Sequence, residues 1–251
     1  MKGTIEIKGL EKTFTTGDDK QIPVLKDVNL TIKGGQFACL VGPSGCGKTT
    51  ILHAIAGIIE KDRGSILIDG MDHLRARFGY VFQEARLLNW RTAAQNVEFG
   101  AVAAEIPQQE IPGLVRRYID LVGLSDFANS YPLTLSGGMQ QRVAIARGLA
   151  HDPSFLLMDE PFAALDALTR ENMMIELQRI WMSSAKSVLF ITHSIPEAVF
   201  LSDRILVLSN RPGTVVHEMK VPLPRPRTLD SMGDPAFNDC TRELRQIFNR
   251  L

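Results

Sequence analysis

The stretch GPSGCGKTT, residues 42–50, decides how this chain is read. It follows QFACLV (36–41), an apolar run that reads as a buried strand, and Lys48 to Gly57 reads as a helix stopped by Gly57. Gly42, Gly47, Lys48 and Thr49 match the spacing G-x-x-x-x-G-K-[ST]. Glycines let backbone N–H groups turn inward and approach phosphate closely. The helix start behind them adds its positive dipole end. On this reading Pro43, Ser44, Gly45, Cys46 and Thr50 complete the cradle. Lys48 reaches the β- and γ-phosphates and the Thr49 hydroxyl ligates Mg²⁺. The bland alternative is a glycine-rich turn with a chance Lys-Thr. The strand before it and the helix after it, both of which the motif requires, argue against that. Cys46 stands at a variable position and reads as a small residue that fits the turn.

The bulk properties narrow the classes. A chain of 251 residues can bury a sizeable core as one large domain or two small ones. Hydrophobic residues at 45% and charged residues at 22% are ordinary for a globular protein. Formal net charge is zero, so no global field recruits nucleic acid or an anionic membrane. Cys39, Cys46 and Cys240 form no C-x-x-C pair, and their odd number fits a reducing compartment. No signal peptide is visible, and no apolar run approaches the roughly 18 residues needed to span a bilayer. Any membrane role must go through a partner.

Working outward, residues 3–9 and 24–32 alternate as half-buried strands do, with turn residues around them. SILIDG and FGYVFQ are short strands. From about residue 90 to 151 the pattern turns helical, in RTAAQNVEFGAVAA, IPGLVRRYIDLVGL and GGMQQRVAIARGLA. FLLMDE (155–160), SVLFITH (187–193) and DRILVLS (203–209) return to apolar strands separated by helices. TVVHEMKV reads as a closing strand, VPLPRPR as extended and proline-fixed, and PAFNDCTRELRQIFNRL as an amphipathic helix. Alternating strands and helices predict an α/β fold with a mainly parallel central sheet, interrupted by an all-helical insert.

Two further stretches carry chemistry. FLLMDE ends a buried strand in two carboxylates, where ligands bind in open α/β sheets. Asp159 is placed to hold Mg²⁺ and Glu160 to polarise an attacking water. Acidic residues end many strands, so the pair gains its meaning from the phosphate loop. LSGGMQQR (135–142) opens a helix at Ser136, Gly137 and Gly138, a second anion-binding start. One γ-phosphate needs one cradle, so the second is expected to serve a nucleotide bound by a partner subunit. An ordinary Ser-capped helix is the alternative.

These motifs, together with Gln83, ALD at 164–166 and His193, resemble in order and spacing the nucleotide-binding subunit of ABC transporters. The resemblance covers essentially the whole chain. It implies a P-loop NTPase (RecA-like) core with an antiparallel β subdomain and a helical insert. The expected division is a nucleotide-binding core over 1–86 and 154–225, a helical subdomain over 87–153 and a C-terminal extension over 226–251. It further implies a head-to-tail dimer, of this chain with itself or with a related subunit, that sandwiches two ATP molecules. Within it, Gln83 senses Mg²⁺ and nucleotide and couples to membrane subunits, and Asp166 communicates across the dimer. His193 holds the γ-phosphate and the attacking water, and Phe14 stacks on adenine. Met139 departs from the pattern, where many members have Gln.

About 85 residues separate the phosphate loop from LSGG, too few for a long coiled coil. With a single ATPase unit and no acidic-glycine stretch before LSGG, the chain looks like a bacterial importer subunit, peripheral on the cytoplasmic face of the inner membrane. QEARLLNWRTAAQNVEFG (83–100) and SNRPGTVVHEMKVPLPRPR (209–227) are similar to the nitrate/sulfonate/taurine branch. That branch imports small oxyanions, bicarbonate included, with a permease and a periplasmic binding protein. Leu87, Leu88 and Trp90 read either as core or as an apolar groove for a permease helix. Related branches moving pyrimidines, riboflavin or aromatic acids are the alternative, as is an ATP-gated interaction module with little hydrolysis. The presence of Glu160 and His193 favours a motor. LSGG and the lack of N-K-x-D disfavour a GTPase or small-molecule kinase.

Overall fold

A computed structural model describes residues 3–184 and 186–251. In chain order its first elements are β1 (Ile5–Thr15), β2 (Gln21–Ile32), β3 (Phe37–Val41), α1 (Lys48–Ile55), β4 (Arg63–Ile68) and β5 (Met71–Asp72). Then come β6 (Phe78–Val81), α2 (Ala93–Ala103), α3 (Ile111–Leu121), α4 (Gly137–Ala150), β7 (Phe155–Asp159) and α5 (Ala167–Ser184). The last are β8 (Ser187–Ile191), α6 (Ile195–Leu201), β9 (Arg204–Leu208), β10 (Val215–Lys220) and α7 (Pro235–Phe248). They fall into two compact units. One runs up to Ala76 and resumes at Ser187–Leu251; the other is Arg77–Lys186.

The first unit holds two sheet systems. β3 lies between β8 and β9 and is parallel to both. Every residue of β3 and β8 is buried, which is why both read as unbroken apolar runs. β10 closes this system antiparallel to β9. Phe37 and Phe190 pack with ring centroids 5.9 Å apart. A fully buried side chain of this kind contributes about 1.5–3 kcal/mol. The other sheet is antiparallel, in the order β2-β1-β4-β5.

β1 runs on to Thr15, well beyond the expected residue 9. Its register against β2 shifts between Ile7 and Leu10 and again before Lys12, which breaks the strict alternation. β2 starts at Gln21 and includes Pro23, a residue that reads as a turn former. β2 is an edge strand, where a missing N–H costs no ladder bond. β5 follows an Asp69-Gly70 turn that the alternation pattern passes over.

In the second unit, β6 pairs parallel with β7, and Phe78 stacks on Phe155 at 5.9 Å. α2, α3 and α4 are the three expected helices. Asn96, fully buried on α2, organises the segment before that helix. Its amide oxygen accepts the Leu88 N–H at 2.8 Å, and its nitrogen donates to the carbonyls of Leu88, Arg91 and Thr92. Thr92 and Gln95 form a capping box at the start of α2. No helix among the described residues is long and apolar enough to cross a membrane.

Candidate functional site

The first unit carries Phe14, the phosphate loop and His193. The second carries Gln83, Ser136–Gly138, Asp159, Glu160 and Asp166.

β3 delivers the chain into Gly42, and the loop returns as α1. Gly47 is the helix N-cap with φ 107, a conformation that L side chains rarely adopt. A Cβ there would stand 2.5 Å from Leu25 Cδ2 and 3.2 Å from the Val24 carbonyl oxygen. No side chain caps α1, so its positive end faces the loop. Lys48 is 6% exposed. Its ammonium donates to the Gly42 and Pro43 carbonyls, each at 2.9 Å. A buried cation curled onto its own loop, at a helix start with no side-chain cap, suits a polyphosphate, which would offer it stronger acceptors. Ser44, Gly45 and Thr49 are exposed and Pro43 and Thr50 partly so, giving a ligand access. Cys46 is buried, and burial pushes its thiol pKa up against the pull of Lys48. It is a packing group, not a reactive thiolate.

Gly213 was not singled out by sequence reasoning, beyond its place in a similar stretch. A Cβ on it would lie 2.1 Å from the Cys46 carbonyl oxygen. Its N–H donates to Val24 at 2.8 Å and its carbonyl accepts from Lys26 at 3.1 Å. The β9–β10 turn thus braces the phosphate loop and clamps β2 at the same point. An R-P-G turn between two strands is the one local signal, and it says nothing of the loop it touches.

His193 is exposed on the turn between β8 and α6. Phe14 lies on β1 opposite Ile22, 39% exposed, with the Lys12 ammonium 5.4 Å from its ring centroid. Its open face is available to stack on a planar ligand.

In the second unit β7 buries Phe155–Met158 and ends at Asp159. Glu160 follows with φ 46, in the sparsely populated left-handed region, and so its side chain leaves the strand in a new direction. Tyr80 lies beside Asp159. Burial first, and the Asp159 charge second, push its phenol pKa well up, so the phenol stays protonated. Gln83 is exposed just beyond β6. The segment around it is tied to α4, which sequence reasoning did not foresee. Gln141 donates to the Phe82 carbonyl at 3.1 Å, and Arg147 to those of Ala85 and Arg86 at 3.0 and 2.8 Å.

Ser136 caps α4: its hydroxyl oxygen accepts the Met139 N–H at 3.3 Å. Ser136 and Gly137 are exposed, and Gly138 packs near Thr169. Asp166 accepts the Thr169 N–H at 3.0 Å at the start of α5; hydrogen bonding from the Thr169 side chain first, and from its N–H second, lowers the Asp166 pKa. Trp90 is 73% exposed. With Arg91, Gln95, Glu98, Phe99 and Val102 it lines an open groove of about 570 Å³. Leu87 and Leu88 are half-buried.

Residues 25–163 match the model of the ABC transporter family, and the chain belongs to that family. It is 43% identical to a nitrate import ATP-binding protein of Synechocystis sp., over 97% of this chain and 94% of that one. It is 39% identical to an aliphatic sulfonates import ATP-binding protein of Bacillus cereus, over 98% and 96%. A solved dimer of the ATP-binding cassette MJ0796, in a post-hydrolysis state with ADP and phosphate, superposes with a TM-score of 0.75. That pair shares 33% identity over 88% of this chain and all of the other.

Proposed function

We propose that this chain is the ATP-hydrolysing subunit that powers an importer of a small oxyanion, of the nitrate or sulfonate kind. The observation that carries the nucleotide half is Lys48, a buried ammonium turned onto its own loop behind a helix start without a side-chain cap. The solute half rests on kinship with nitrate and sulfonate import proteins along nearly the whole chain.

In this reading the loop amides and Lys48 bind the phosphates of ATP, and Phe14 stacks on adenine. Thr49, Asp159 and Gln83 would hold Mg²⁺ beside the nucleotide, where the ion would supply neutralisation of phosphate charge. Mg²⁺ usually takes one or two carboxylates together with substrate phosphates, and this donor set is of that kind. Glu160 takes the proton of the attacking water, and His193 hydrogen-bonds the γ-phosphate. Two copies, or this chain and a related subunit, pair so that Ser136–Gly138 of one reach the nucleotide of the other, with Asp166 at the junction. The division into a core (1–86 and 154–225), a helical subdomain (87–153) and a C-terminal extension (226–251) belongs to the same reading. The groove at Trp90 and Phe99 takes a short helix of a permease, which places the chain on the cytoplasmic face of the membrane. A periplasmic binding protein selects the solute and never touches this chain.

Uptake of labelled nitrate and of an alkanesulfonate, in cells lacking this chain, tests the proposal. One of the two uptakes should vanish and return with the wild-type chain but not with Lys48→Ala. If both persist in the deleted cells, the oxyanion assignment is wrong.

A further inference from the structure

The turn that carries His193 is closed by a ring of hydrogen bonds that the chemistry above leaves unexplained. β8 ends at Ile191 and α6 starts at Ile195, so Thr192, His193 and Ser194 make the whole turn. Thr192 Oγ1 donates to Glu197 Oε2 at 2.6 Å. The same oxygen accepts the Ser194 N–H at 2.9 Å. The Ser194 hydroxyl oxygen in turn accepts the Glu197 N–H at 3.4 Å and caps α6. In an ordinary capping box the carboxylate at the third helical position takes the N-cap N–H directly. Here Thr192 is inserted between them, and so the residues on both sides of His193 are locked while His193 itself is exposed.

The burial is out of proportion to a surface cap. Glu197 is 4% exposed, the one buried carboxylate among the described residues. Burying a carboxylate is costly unless it is hydrogen-bonded, and an exposed Glu or Gln closes a capping box without that cost. Glu197 and Lys48 both act electrostatically on the fully buried Cys39, one raising and one lowering its thiol pKa. The carboxylate therefore acts within the buried interior of this unit and not at its surface.

We propose that Thr192 and Glu197 are positioning residues that fix the His193 imidazole for its work on the γ-phosphate. This rests on the reading above, in which His193 acts on ATP. Thr192 serves as donor and acceptor at once, which a serine can also do and a valine cannot. Its χ1 is set by both bonds, and the Ser194 N–H bond sets the backbone direction on leaving His193. Loss of the pair frees the turn without touching the sites that bind phosphate.

Steady-state ATPase kinetics and thermal melting of the full chain test this, with Thr192→Val, Thr192→Ser, Glu197→Ala and His193→Ala beside the wild type. Thr192→Val should lower kcat on the order of 10- to 100-fold, the cost of a misplaced catalytic group. KM for ATP should move less than about threefold, the signature of an interaction made only in the transition state. Thr192→Ser should restore turnover, and Glu197→Ala added to Thr192→Val should cost less than the two single losses together, since the two side chains share the Oγ1–Oε2 bond. Should Glu197→Ala fail to fold, the Val/Ser pair at Thr192 still decides. Normal turnover in Thr192→Val, with His193→Ala inactive, overturns this proposal alone. So does a loss that follows the folded fraction and is not rescued by serine. Near-normal turnover in His193→Ala overturns the role of His193, and this proposal with it.

Discussion

α1 and α4 each begin at a glycine-bearing turn that can meet an anion, but they are built differently. At α1 the N-cap is a glycine wedged against Val24 and Leu25, with no side chain to cap the helix, and the adjacent Lys48 is buried. At α4 the N-cap is Ser136, which already satisfies the Met139 N–H with its own hydroxyl and lies exposed with Gly137 beside it. The first start carries no side-chain cap, and its cation bonds the neutral carbonyls of Gly42 and Pro43. The second is complete alone and presents an open surface. On the proposed reading, α1 holds the chain's own phosphate and α4 meets a phosphate carried in on another molecule, with the serine exchanging its local bond for one to the incoming group.

The comparison is broken most sharply at Glu160. Replacing it with Gln removes the group proposed to take the proton from water and leaves both proposed cradles intact. Turnover should fall by roughly 10²–10⁴-fold, the usual range for a positioned base. ATP should remain bound, and the dimer should be trapped on size-exclusion chromatography. Turnover near the wild-type level would remove Glu160 from this role. Lys48→Ala attacks the α1 cradle alone. Charge-assisted contacts are worth about 1.5–3 kcal/mol, so affinity for a fluorescent ATP analogue should drop by about 10- to 150-fold. Unchanged affinity would mean that the loop amides suffice, and that α1 does not differ from α4 through its cation.

Why α1 was legible from the sequence follows from its construction. Its strand, loop, cation and helix are contiguous, and each residue type is dictated by local backbone geometry. The carboxylates at the end of β7 and the Ser136 cap share that property. The braces do not. Gly213 meets Cys46 only because β9 lies beside β3, and Gln141 and Arg147 meet the Gln83 segment only because α4 packs there. Glu197 reads in sequence as one more acidic residue early in a helix; its burial is a property of the fold. β1 was underestimated for a related reason, since its bulges hide the alternation that marks a strand. Trp90 and its neighbours could be read as core or as groove. The structure leaves Trp90 in the open and half-buries Leu87 and Leu88.

Gly213→Ala sharpens the comparison from the far side of the loop. The new methyl would stand 2.1 Å from the Cys46 carbonyl, so the turn or the loop must shift. Overpacking of this kind costs about 1–3 kcal/mol. Part of it should appear as weakened ATP binding, with Gly17→Ala, which meets nothing within 4 Å, as the neutral control. Equal ATP affinity in the two variants would show that the brace does not set the cradle.

The smallest single-site effect is expected at Ser136. Ser136→Ala removes a helix cap, worth about 0.5–2 kcal/mol of local stability, and should leave ATP affinity of the separate chain unchanged. If α4 serves the partner's nucleotide, the loss appears instead in ATP-dependent pairing and in turnover per dimer. Ser136→Arg makes the same point by steric block. Mixed with Lys48→Ala chains, it should recover activity that neither variant has alone. Two-fold symmetry puts both lesions in one composite site and leaves the other intact, whereas each homodimer has two ruined sites. Coupling between the sites could mask that gain, and a crosslink avoids the difficulty. Cysteines introduced at Ser44 and Gly137, with Cys39, Cys46 and Cys240 replaced, should join two chains when ATP is present and not in its absence. Bonds confined within one chain would sink the partner-serving role of α4. The exposed Ser136 turn would then be an ordinary helix cap, and the contrast with α1 would be one of packing alone.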